Sequence, residues 1–139
     1  MIDRKSRDKL AETLRQYVSG RITNFTLDDL SIKSKDRGVI AVRRTAWFLY
    51  DDLHEHKARG KYSIEGKNRD EVSRWIVFLH SDQEYLWPPI HQKLLSILTF
   101  GFFKISSGDE KVWPFFDKKD FDKELRTPRL LNLDRSGNT

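Results

Sequence analysis

Apolar residues recur along this chain mostly at helical spacing, and the polar residues between them predict where each helix starts and stops. Leu10, Leu14, Tyr17 and Val18 fall on one face of a helix predicted over 3–19. Lys5, Asp8, Lys9, Glu12 and Arg15 form its opposite face, a solvated surface of mixed sign. Gly20 stands where a helix end favours a left-handed residue. A shorter helix is predicted over 21–31, capped by Thr23, Asn24 or Thr26, with Leu27 and Leu30 inward. Asp28 and Asp29 suit its positive N-terminal end.

The strongest pattern lies over 36–56. Val39, Val42, Ala46, Leu49 and Leu53 keep a 3-4-3-4 spacing. Ile40, Trp47, Phe48 and Tyr50 widen the stripe, so this helix reads as central and touched on several sides. Asn68, with Glu71 three residues later, predicts the start of a helix running to His80, with Val72, Trp75, Ile76 and Leu79 inward. Ser81 and Glu84 repeat that arrangement before a short turn of helix that Pro88 and Pro89 stop. Ile90, Leu94, Leu95 and Leu98 predict one more apolar-faced helix. Two aromatic runs, 99–105 and 110–116, flank Ser106-Ser107-Gly108-Asp109 and read as a β-hairpin. Pro114 confines the second run to an edge. A last short helix is predicted over 117–126, followed by a mobile tail from Thr127. The fold expected is a single mainly α domain over 1–126, with about five helices and room for a small C-terminal hairpin.

Composition narrows the function classes. At 139 residues the chain has the length of one domain. Charged residues reach 34%, yet four Trp, four Tyr and nine Phe supply a core, so disorder is not expected. The absence of cysteine removes disulfides, thiolate catalysis and Cys-based zinc sites, and it fits a reducing cytoplasm. The first residues are charged from Asp3 onward and lack the apolar core of a secretory signal. Leu94 to Phe103 is the longest apolar stretch, short of the roughly 20 residues a membrane span needs. No membrane partner is therefore expected. Net charge is +5, but the basic excess is spread over residues 1–21 and 33–61 and diluted by acids. A nucleic-acid surface is usually a denser stripe.

Three groups of residues carry candidate chemistry. Asp51, Asp52, His54, Glu55 and His56 crowd acids into the predicted last turn of the central helix, where the helix dipole disfavours them. While that stretch is helical, Asp52 and His56 share a flank, and a metal site would need His80 or His91 to join them. Surface ion pairs at a polar helix end are the plainer reading, and no cofactor is assigned. Trp87-Pro88 and Trp113-Pro114, with Tyr85, suit either a loop packed on the core or aromatic anchors for a partner. Arg43 and Arg44, preceded by Lys33, Lys35 and Arg37, suit either a solvated face or contact with nucleic acid or an acidic partner. Ordered phosphate contact would require them to converge with Arg4, Lys5 and Arg7. No Gly-rich phosphate loop and no Ser-centred nucleophile elbow is present.

Several strings bear a resemblance. Leu14-Arg15 with Ser19-Gly20-Arg21-Ile22-Thr23-Asn24, Ala46 to Leu53, Ser73 to Leu79, Tyr85-Leu86-Trp87-Pro88 and Val112 to Phe115 together resemble a family of small bacterial proteins of unknown function, over most of residues 4–126. That resemblance implies no activity and carries over no catalytic residue. The Gly-Arg-Ile-Thr corner also resembles the helical SHOCT-type module, which normally lies at a C-terminus and has an acidic-Phe pair after the turn. Here the corner is N-terminal and reads Asn24-Phe25-Thr26-Leu27. The expectation is a non-enzymatic bacterial cytoplasmic protein that binds another protein or a second copy of itself. The alternatives are a nucleic-acid binder using the basic N-terminal half, an immunity-type toxin antagonist, and a metal-dependent enzyme.

Overall fold

The computed structural model describes residues 1–88 and 108–127. Five α-helices occur among them: α1 (Arg4–Val18), α2 (Asn24–Asp28), α3 (Arg37–Ala46), α4 (Gly66–His80) and α5 (Lys118–Leu125). The described residues are mainly helical, and no strand is found among them.

Helix α1 is the hub. Asp3 caps it, accepting from the Ser6 backbone N–H, and the helix buries Leu10, Ala11, Leu14 and Tyr17. It packs most extensively on α4, which buries Val72, Trp75, Phe78 and Leu79, and also against α2 and α3. Helix α3 contributes Val39, Val42 and Ala46 to the same core. It approaches α4 closely at Gly38, where a Cβ would lie 2.7 Å from the Phe78 ring. Gly20 ends α1 at φ +72°, and a Cβ there would meet Arg59 Nε at 2.7 Å. Val112 and Phe115 complete the core from the C-terminal side.

One residue of α1 breaks the helix's polarity rule. Arg7 is fully buried, three residues before Leu10 on the same face. Its guanidinium makes a forked contact with buried Asp36, Nε to Oδ2 at 2.6 Å and Nη2 to Oδ1 at 3.2 Å. Its Nη1 donates to the carbonyls of Ser81 at 3.1 Å and Gln83 at 2.9 Å, and the group lies over the Phe78 ring. Asp36 also accepts the backbone N–H of Asp3 and of Gly38, so it caps α3 while pairing with α1. Burial would raise the Asp36 carboxyl. The hydrogen bonds and charge of Arg7, with the two backbone donors, outweigh it and hold the group below its ordinary range. One ion pair thus ties α1, the start of α3 and the end of α4 together.

Several elements depart from expectation. The central helix stops at Ala46 rather than 56, with a 3-10 turn over Trp47–Leu49. Its continuation is captured by side chains. Asp51 Oδ1 accepts the Leu53 backbone N–H at 2.6 Å, closing a local turn that competes with helix. Asn24, fully buried at the start of α2, donates to the carbonyls of Asp51 and His54 and accepts the His56 N–H at 2.8 Å. Leu53, expected inward, is 79% exposed as a result. Helix α4 begins at Gly66, before Asn68, and Glu65 at its cap makes no side-chain capping bond. Asp28 and Asp29 lie at the C-terminal end of α2 rather than its start, which Thr23, one of the expected caps, closes. Residues 82–88 form no helix. The expected second hairpin strand contains a 3-10 turn over Glu110–Val112. The first strand, the helix over 90–98 and the tail beyond Thr127 lie outside the described residues.

Replacing Asn24 with alanine should leave the buried His56 N–H without an acceptor and release the 51–56 segment. A loss of about 1–3 kcal/mol is expected by urea denaturation, with faster hydrogen exchange at the His56 amide. An unchanged exchange rate would show that Asn24 does not hold the segment.

Candidate functional site: an exposed aromatic surface at the end of α3

The three groups of candidate residues do not form one site, although Arg37 of the basic group reaches the Trp-Pro segments. Asp52, His56 and His80 are not brought together. With the helix ended at Ala46, Asp52 and His56 lose their shared helical flank, and Asp52 is exposed. His56 is buried, stacked on Tyr62 at 3.8 Å, with Nδ1 2.8 Å from the His54 carbonyl. His80 lies at the end of α4, where its Nδ1 is 3.6 Å from Asp8 Oδ1. No group of three or more His, Asp or Glu side chains able to hold a metal occurs among the described residues.

The Trp-Pro segments pack inward. Trp87 is 3% exposed, its indole N–H donates to the Phe115 carbonyl at 3.1 Å, and its ring meets Phe116 edge-on. Trp113 and Tyr85 are partly buried and packed on the core. Trp113 sets its edge against Trp75 and donates to the Tyr85 hydroxyl at 3.2 Å. Arg37 lies over the Tyr85 ring and donates to the Trp87 carbonyl.

The basic residues do not converge as phosphate contact requires. Arg7 is buried on Asp36, and Arg4 is engaged with carbonyls at the end of α4 and with Asp8 and Asp82. Arg43 and Arg44 remain exposed. Neither has an acidic side chain within ion-pairing distance among the described residues.

What surrounds those two arginines is apolar. Trp47 is 56% exposed, Phe48 88% and Ile40 38%, all at or near the C-terminal half of α3. The cause is the early end of the helix. Val39, Val42 and Ala46 use the inward direction of α3, while Ile40 and Trp47 lie about a quarter-turn aside, with Arg43 between them. The tight turn over Trp47–Leu49 then sends Phe48 outward. Behind Trp47 a pocket of about 240 Å³ opens between α2, α3 and the 30–34 segment. Leu27, Leu30, Ile32, Val39, Ile40 and Tyr50 are among its walls. The Tyr50 hydroxyl donates to Asp28 Oδ1 at 3.3 Å. Its partial burial, then the Asp28 charge, push its pKa up to about 12, so it stays a neutral donor at physiological pH.

A second hollow of about 400 Å³ is lined by Phe48 itself, with Thr45, His56, Lys61, Glu71 and Trp75 among its other walls. Among the described residues the buried Trp75 indole N–H meets no hydrogen-bond acceptor. No family model, curated protein or solved structure matches this chain. Any reading of function therefore stands on this geometry. The signal for Trp47 and Phe48 was present in the sequence, as more apolar residues than one helix face can bury.

Proposed function

We propose that this is a non-enzymatic bacterial cytoplasmic protein that acts by binding another protein through the surface around Ile40, Trp47 and Phe48. The observation that carries the reading is the contrast between tryptophans. Trp75 and Trp87 are 3% exposed, whereas Trp47 stands 56% exposed beside the still more exposed Phe48. Large aromatics left in water at one place are characteristic of contact surfaces, where Trp and Arg are the usual anchors. Arg43 and Arg44 supply the second component. The lack of cysteine fits a reducing compartment. Among the described residues no helix is long and apolar enough to cross a membrane.

The test uses Phe48→Ser and Trp47→Ser as baits, with Leu86→Ser and Leu125→Ser as controls at other exposed apolar positions. Phe48→Ser should change stability by no more than about 0.5 kcal/mol, as surface substitutions do. Partner capture from an extract of the producing cells should weaken by about 2 kcal/mol at either aromatic, roughly thirtyfold, and persist in the controls. Equal capture by all four variants would remove the proposal.

A further inference from the structure

Resting on that reading of the α3 surface, we infer that the 240 Å³ pocket behind Trp47 takes one large apolar side chain from an acidic segment of the partner. The pocket's size sets the first half. An apolar cavity of about 150 Å³ is enough to hold a benzene ring. This one therefore accommodates a leucine, phenylalanine or indole side chain, and it is too small for a helix. Its walls favour carbon: Leu27, Leu30, Ile32, Val39 and Ile40 would meet the anchor, with Trp47 at the rim. A nucleobase placed there would set most of its polar edge against aliphatic side chains, leaving donors and acceptors unmatched.

The charges at the mouth set the second half. Arg43 and Arg44 line the pocket without an acidic partner among the described residues. Among the described residues the Arg43 guanidinium reaches the Ile32 carbonyl, at the long distance of 3.5 Å. Lys9 is placed on the Ser31 carbonyl at 3.4 Å, and Lys33 and Lys35 are exposed on the same connecting segment. Asp28 and Asp29 oppose them, with Asp28 already accepting from Tyr50. The pocket's own lining holds two arginines against one acid, Asp28, which leaves a positive rim around an apolar hole even with Asp52 near enough to act on Tyr50. Such a rim is complementary to carboxylates flanking an apolar anchor, and it steers their approach.

The experiment is selection of a random peptide library on the immobilised full chain, followed by titration of the enriched peptides. The enriched sequences should carry Leu, Phe or Trp flanked by Asp and Glu. Replacing the anchor with alanine, or reversing charge in an Arg43→Glu/Arg44→Glu double variant, should each weaken binding at least about tenfold. Peptides with Lys in place of their acids should regain binding to that double variant, which a misfolded protein could not do. Affinity should fall as salt rises. Enriched peptides that are neutral or basic, or acidic ones indifferent to the double variant, would overturn the inference. If those peptides still require Trp47, the protein-binding reading survives alone. If no peptide is enriched, or single-stranded RNA competes for the same arginines, both readings fall.

Discussion

Replacing Asp36 with alanine is expected to cost about 3–5 kcal/mol, because it leaves the Arg7 charge buried without its counter-ion. Domains of this kind are stable by only about 5–15 kcal/mol, so the variant should sit near the edge of folding. The loss is not simply that of one ion pair. Asp36 also accepts the backbone N–H groups of Asp3 and Gly38, and Arg7 satisfies the carbonyls of Ser81 and Gln83. An apolar double replacement, Arg7→Met with Asp36→Leu, should therefore recover only part of the loss, since those backbone groups lose their partners. The sign of the pH dependence follows from the same site. The Asp36 carboxyl is held below its ordinary value of 3.8 in the folded chain, so folding favours its ionised form. That contribution is complete above the unfolded value and disappears as pH falls through the depressed folded one. Asp3, which accepts from Ser6 and Ser34, shifts the same way. Wild-type stability in urea should fall as pH drops below about 4, and Asp36→Asn should flatten that part of the profile while Asp3 keeps a residue of it. A wild-type profile level to pH 2 or so would contradict the assignment.

Trp87→Ala is expected to cost about 3–5 kcal/mol through the cavity it leaves. The ring is enclosed by the C-terminal segment: its N–H is satisfied by Phe115, it meets Phe116 edge-on, and a Cβ on Gly108 would touch it at 2.9 Å. Thermal melting should drop by on the order of 10 °C. Partner binding, measured below the new midpoint, should be unchanged. A variant that melts within about a degree of wild type but loses its partner would make Trp87 the anchor and transfer the binding site to the Trp-Pro segments.

Helices α1 and α4 were legible in the sequence because their apolar residues repeat on one face and their buried positions are local properties of that pattern. The end of α3 was not. Its apolar spacing continues through Leu49 and Leu53, and what overrides it comes from elsewhere: the buried Asn24 side chain, 27 or more positions earlier, binds the backbone of 51–56. Periodicity carries no information about such a contact. Arg7 was readable in principle, since it lies three residues before Leu10 on the apolar face. Which acid it meets was not, because Asp36 lies 29 positions away and only the packing of α3 on α1 brings it near. The shared flank of Asp52 and His56 depended on 52–56 being helical and is lost with that helix, while His91 lies outside the described residues. Arg43 and Arg44 stand where sequence placed them, on an exposed helix face. The aromatic surface beside them was visible only as a surplus, and a surplus on a long central helix reads as core until the helix is seen to stop.

The central claim is that Trp47 and Phe48 are exposed for contact with a partner. Hydroxyl-radical footprinting, read by mass spectrometry residue by residue, tests it most directly. In the purified protein Trp47 and Phe48 should oxidise much faster than Trp75 and Trp87, and in an extract of the producing cells they should become protected while Leu86 and Leu125 do not. Slow oxidation of Trp47 in the purified protein, or equal rates for all of these residues with and without the extract, would contradict the account.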